Sequence, residues 1–165
     1  MTSSSSKRVR ILLWCLIAAN MVFIFAMSAQ SGLESDSTSG SVIIWLLRLF
    51  RTDYDAMSPE DQAALVLFWQ SVVRTLAHFS EYTLLGFLAG LQAKQYAIRH
   101  AYWVSWGGSV LYALTDEFHQ LFVPGRYCDL ADICVDASGV LLGTGIAALL
   151  LLLVMRHKRG QNGQT

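Results

Sequence analysis

Apolar residues run in long blocks along this chain, and polar positions gather toward one end of each block. A helix crossing about 30 Å of hydrocarbon needs roughly 20 predominantly apolar residues. Four stretches meet that requirement, at about 9–29, 76–93, 101–117 and 133–155. Asn20 alone interrupts the first, and the last closes on the unbroken apolar run 147–154. The pattern predicts an all-α polytopic membrane protein, a four-transmembrane-helix bundle forming a single domain over residues 1–165.

The segment between the first two spans has its own pattern. Residues 30–41 are rich in Ser with Gly, Asp and Glu, which reads as a flexible link. Residues 42–51 are apolar but too short to span. They predict an interfacial or re-entrant helix in an outer loop of about 30–75, with Trp45, Arg48 and Arg51 near the headgroups. Ser58-Pro59-Glu60-Asp61 has the marks of a helix start: Ser at the cap, Pro at the first position, acids in the first turn. A helix from 59 to 93 would be about 52 Å long at 1.5 Å per residue. Its first half must therefore lie along the outer surface, tilt strongly, or break before Arg74.

Composition sharpens the membrane reading. Hydrophobic residues make up 54% of the chain and charged residues only 15%, against about 25% charged in a soluble domain. The net charge of zero hides a sorting by position. Lys7, Arg8 and Arg10 precede the first span, Lys94 and Arg99 separate the second from the third, and Arg156, Lys158 and Arg159 follow the fourth. With four spans these clusters share one side, which the positive-inside rule makes cytoplasmic. Only Arg48, Arg51, Arg74 and Arg126 remain for the other side. All 12 Asp and Glu fall in the outer loops or the outer ends of spans. Both termini are expected inside. The N-terminal run is longer than the usual 7–15-residue signal core, so a retained first helix is preferred to a cleaved signal peptide.

The polar positions also share faces. Arg74, His78 and Glu81 follow i, i+4, i+7 and form one stripe on a helix. Asp116 shares a face with His119 and Gln120 if the helix runs that far, and Glu117 shares one with Gln120. Asp132 and Asp136 lie one turn apart, and Gly139 and Gly143 prolong their stripe. Ser28 and Gln30 end the first span. All of these groups lie at one depth, in the outer leaflet or just above it. Two G-x-x-x-G patterns, Gly86/Gly90 and Gly139/Gly143, provide for close helix approach, within the chain or between copies. Asn20 reads as an interhelical hydrogen-bonding residue, and Trp103 and Trp106 as cytoplasmic-side interfacial anchors. Cys15 reads as a packing residue. Cys128 and Cys134 flank the outer end of the fourth span, as two free thiols or a disulfide, and no Cys-pair zinc spacing is present.

Several residues together resemble the VanZ-like family. They are Ser28-Ala29-Gln30-Ser31; Arg74 with Ala77-His78-Phe79 and Glu81-Tyr82; Asp116-Glu117-Phe118-His119-Gln120 with Phe122-Val123-Pro124-Gly125-Arg126; and Asp132, Asp136, Gly139 and Gly143. The resemblance extends from the end of the first span to the fourth. Two positions depart from the pattern: Thr75 stands where Lys often follows the Arg, and Asp136-Ala137-Ser138 where Asn is often found. The resemblance implies a small multispanning protein of the cell envelope. The family takes its name from a member linked to resistance to the glycopeptide teicoplanin. It implies no particular reaction.

The residues leave three readings open. Ionisable groups at membrane depth are costly, by roughly 2.5–3.5 kcal/mol each at a helix centre, so a set of them is a site candidate by default. As an enzyme acting on a lipid-borne or envelope substrate, the chain would use His78, Glu81, Asp116, Glu117, His119, Asp132 and Asp136 as acid–base groups. Arg74, Arg126, Gln120 and Gln30 would hold an anionic ligand, for which the guanidinium fork is suited. His78, Glu81, Glu117 and His119 are also donor types for a divalent metal. As a binding protein, the chain would hold a lipid-linked or cell-wall ligand without turnover. As a structural element, Arg74/Glu81 and Arg126 with Asp132 or Asp136 would pair, and the histidines would be hydrogen-bonded core residues. Membrane lipids are the expected surroundings, no nucleic-acid partner is expected, and no H-E-x-x-H, G-x-S-x-G or P-loop is present.

Overall fold

The computed structural model describes residues 3–30, 32–96, 100–126 and 128–162, with side chains left undescribed at 3–5, 32–39, 158, 160 and 162. Arg99 and the Lys158 side chain, both part of the expected inner basic clusters, lie outside this set. The described residues form five α-helices and no strand: α1 (Ser3–Ser28), α2 (Gly32–Phe50), α3 (Pro59–Ala93), α4 (Ala101–Gln120) and α5 (Leu130–Asn162). Two of them contain segments long and apolar enough to cross a membrane, Ser6–Ser28 in α1 and Leu130–His157 in α5. The other two expected spans, within α3 and α4, are helical but fall short of that measure. Both carry polar side chains that lower their mean hydropathy, and those side chains face other helices. Buried polar residues within them include Gln92 on α3 and Ser109, Asp116 and Glu117 on α4.

Outward faces are apolar on every helix. Leu67, Phe68, Leu76 and Leu84 are exposed on α3, and Trp103, Val104, Leu111 and Phe118 on α4. Exposed apolar surface on this scale is unusual for a water-soluble monomer.

α3 and α5 run parallel and make the closest packing in the molecule. Gly86 and Gly90 lie against Val140, Thr144 and Ala147, while Gly139 and Gly143 lie against Phe79, Thr83 and Phe87. A Cβ at Gly139 would sit 2.6 Å from the Phe79 carbonyl oxygen, and one at Gly143 would sit 2.6 Å from the Phe87 nitrogen. Neither helix can yield there, because the obstructing atoms are backbone. Thr144 Oγ1 donates to the Gly86 carbonyl at 3.2 Å across the seam. Both glycine patterns therefore serve a contact within the chain. α1 crosses in the opposite sense to α3, with Asn20 Nδ2 donating to the Glu81 carbonyl at 3.3 Å and Gln92 Nε2 to the Arg10 carbonyl at 3.1 Å. Asn20 is thus the interhelical bridge its position suggested.

Two local expectations change, and one open alternative narrows. The Ser-rich stretch is helical from Gly32 onward, so it is not a free link. Weak helix formers cost only about 0.5–1 kcal/mol each, and the apolar end of the same helix docks on α3. Ile43 and Leu47 bury with Tyr54 against Leu65 and Val66. α3 is a single helix through Arg74, started by Ser58, whose side chain accepts from the Asp61 nitrogen at 3.2 Å. Trp103 is exposed, but Trp106 turns inward, packing on the core and donating to the Ala137 carbonyl at 3.4 Å.

Candidate functional site

The end of α1, the middle of α3, the end of α4 and the start of α5 meet at one end of the bundle. Asp116 and Asp136 are both fully buried there, yet their surroundings differ. Asp116 Oδ2 accepts from Ser28 Oγ at 2.8 Å and from Tyr82 OH at 3.2 Å, so one carboxylate ties α1, α3 and α4 together. Asp136, on α5, has no exposed surface, and neither of its oxygens has a hydrogen-bond partner. Its nearest ionisable neighbour is His78 on α3, with Nδ1 3.6 Å from Oδ1. That separation allows an ion pair but is too long for a hydrogen bond.

Other acids surround this pair. Glu81 and Asp116 lie near His78, and Asp132 and Asp136 near Glu117. Glu117 Oε2 accepts from the Asp129 nitrogen at 3.3 Å, while its Oε1 is buried without a partner, as are Asp116 Oδ1 and Gln120 Nε2. Groups of this kind normally find partners when buried, since each one unmade costs about 1–3 kcal/mol.

α4 ends at Gln120 and the chain turns at once. Phe122 and Val123 donate their nitrogens to the carbonyls of His119 and Gln120, and Gly125 takes φ 76°, a conformation open mainly to glycine. The turn brings Arg126 back to the end of α1, where Nε donates to the Gln30 carbonyl at 3.3 Å. The pairing of Arg126 with Asp132 or Asp136, and of Arg74 with Glu81, does not occur among the ion pairs of the described residues. Gln30 contributes its backbone to the site, with its amide nitrogen 3.7 Å from Met27 sulfur. The described ion pairs of arginine are Arg48–Asp55 and Arg51–Asp53, both exposed and far from this cluster in sequence.

The metal set is not assembled. Among the described residues, no three His, Cys, Asp or Glu side chains are placed to hold a metal ion. His119 is turned away toward α1, stacked on Phe25 with ring centres 4.3 Å apart. His78 faces Asp136 on α5 instead. Helical spacing showed which residues share a face, and left open which neighbour that face would meet.

Ser28 and Tyr82, the two donors to Asp116, were not among the predicted site residues. Tyr82 lies one turn beyond His78, which was the available signal. Cys15, Cys128 and Cys134 are free and exposed. Cys128 sits at the rim beside Glu117, and local desolvation together with the carboxylates of Glu117, Asp129 and Asp132 pushes its thiol above the ordinary range.

No curated protein and no solved structure matches this chain. A family model described as VanZ/LLP1 matches residues 13–152, which runs from within α1 through most of α5 and takes in all of the buried polar cluster. The chain belongs to the VanZ/LLP1 family.

Proposed function

We propose that this protein is a four-span envelope membrane protein whose outer-leaflet polar site receives a lipid-borne or cell-wall-related ligand. The observation that carries the reading is Asp136: a carboxylate with no exposed surface and no hydrogen-bond partner, held 3.6 Å from His78. A group kept only for packing would be expected to acquire a donor, as Asp116 has. An unsatisfied acid beside an imidazole is instead ready to accept a proton or a hydrogen bond from something that enters. Glu117, Gln120 and Asp132 line the same region, and Arg126 stands at its rim to meet an anionic group.

α3 and α4 complete the four spans. Their outward faces are apolar and their polar residues point into the bundle, the arrangement expected where lipid lies outside and a site inside. The basic residues of 7–10, Lys94 and Arg156 then share the cytoplasmic side, with both termini inside. Reporter fusions after Arg51 and after Lys158 test this, with an outer signal expected from the first and an inner one from the second. An outer signal after Lys158 would overturn the topology.

A structural role is favoured for one part of the cluster, because Asp116 is clasped by Ser28 and Tyr82. The test is a substitution series across Asp116, Glu117, His78, Asp136 and Arg126. Membrane abundance and teicoplanin susceptibility are scored separately in a host where the protein alters that susceptibility. Asp136→Asn should accumulate normally and lose the phenotype. Retention of the phenotype at normal abundance in both Asp136→Asn and His78→Ala would sink the site.

A further inference from the structure

The opposite end of the bundle holds an apolar groove of about 430 Å³ between α1, α3 and α4. Its walls include Trp14, Leu85, Gln92, Tyr96, Ser105 and Gly108, and its deep end is closed by Tyr112. The Tyr112 ring lies 6.3 Å from that of Tyr82, the residue that donates to Asp116. The volume lies in the range of small-molecule pockets, roughly 300–1,000 Å³. Small residues on α4 keep the groove open: nothing lies within 4 Å of a Cβ built at Gly108.

Its mouth is basic and amphipathic. Arg10 lies over the Tyr96 ring at 5.7 Å, Trp14 Nε1 donates to the Tyr96 hydroxyl at 3.0 Å, and Lys7, Arg8 and Lys94 sit at the same end. Gln92 is 3% exposed, its amide nitrogen bound to the Arg10 carbonyl, and its Oε1 has no partner. An apolar slot with a cationic rim and a bare acceptor near its entrance matches an anionic glycerolipid. The tail fills the slot, the phosphate meets the basic residues, and a headgroup hydroxyl supplies the missing donor to Gln92 after a small side-chain adjustment.

We propose that this groove binds one chain of an anionic, hydroxyl-bearing glycerophospholipid from the cytoplasmic leaflet. The inference rests on the four-span reading but is independent of any ligand at the outer site. It implies that lipid occupancy braces α1 against α3 and α4 directly beneath the Tyr82–Asp116 clasp.

The test is native mass spectrometry of the full chain in detergent, titrated with phosphatidylglycerol or with phosphatidylcholine of the same acyl chains. One phosphatidylglycerol per protein should be retained in preference to phosphatidylcholine. Gly108→Phe fills the slot and should lose the adduct. Gly107→Phe is the control, since Gly107 also has open space around it but does not line the groove. Arg10→Gln should reduce the preference for the anionic lipid while leaving tail binding. Equal binding of both lipids, a retained adduct in Gly108→Phe, or equal loss in Gly107→Phe would overturn the proposal. A peptide or a second copy of the chain seated in the groove would do the same. Asp136→Asn should keep the lipid, which separates failure of this site from failure of the outer one.

Discussion

Two aspartates, Asp116 and Asp136, share a depth, a residue type and near-complete burial, yet the fold treats them differently. Asp116 is reached by a hydroxyl from α1 and a phenol from α3, so its carboxylate fastens three helices. Asp136 sits on the tightest helix seam in the molecule, where α3 and α5 meet through glycines, and it receives no donor at all. Burial alone therefore does not mark a functional group. What distinguishes the two is that Asp116 already receives two donors, both on Oδ2, whereas Asp136 receives none.

The seam explains why Asp136 stays bare. Gly86, Gly90, Gly139 and Gly143 bring the α3 and α5 backbones together, so His78 and Asp136 are fixed at 3.6 Å by main-chain contact. The largest predicted effect follows. Gly143→Leu would drive its side chain into the α3 backbone, and overpacking of this sort typically costs about 1–3 kcal/mol, occasionally more. Folded protein in the membrane should fall sharply, measured by fluorescence-detected size exclusion and thermal melting. A stable, well-expressed variant would mean the seam does not hold the pair.

Next in size is the clasp. Asp116→Ala strands the Ser28 and Tyr82 hydroxyls, and a loss of about 1–3 kcal/mol is expected from unmet buried groups. Ser28→Ala removes a single interhelical bond and should cost less, about 0.6 kcal/mol, as is usual inside membranes. The smallest effect concerns the rim and touches no contact. Cys128 should react with a membrane-impermeant maleimide from the outer side, slowly at neutral pH and faster as pH rises, because its thiol is held above the ordinary range. A rate already at its maximum at neutral pH would remove Glu117 from its neighbourhood.

The helices were largely legible in the sequence, because hydrophobic blocks and the Ser58-Pro59 cap are local signals. Local signals also placed Gly139 and Gly143 on the Asp136 face, and that face does look into the bundle. Partner choice was not legible. Spacing put His78 and Glu81 on one stripe but could not say that His119 would turn to Phe25 and leave the metal set unassembled. Nor could it say that Arg126 would bind the backbone of Gln30, since a turn at Gly125 sets that approach. Trp106 was misplaced for a similar reason: an aromatic near a helix end fits an interface and a core equally well, and the neighbouring helix decides. The groove left no mark in the sequence, because a cavity is what three helices far apart in the chain, α1, α3 and α4, fail to fill.

The central claim is that Asp136 is kept for a ligand and Asp116 for the fold. Its most direct test is a paired measurement on Asp136→Asn and Asp116→Ala, scoring thermal stability in detergent and teicoplanin susceptibility in the same host. Asp136→Asn should melt at or above the parent temperature and abolish the phenotype, whereas Asp116→Ala should lower the melting temperature. An Asp136→Asn protein that melts as low as Asp116→Ala would make both residues structural and contradict the account.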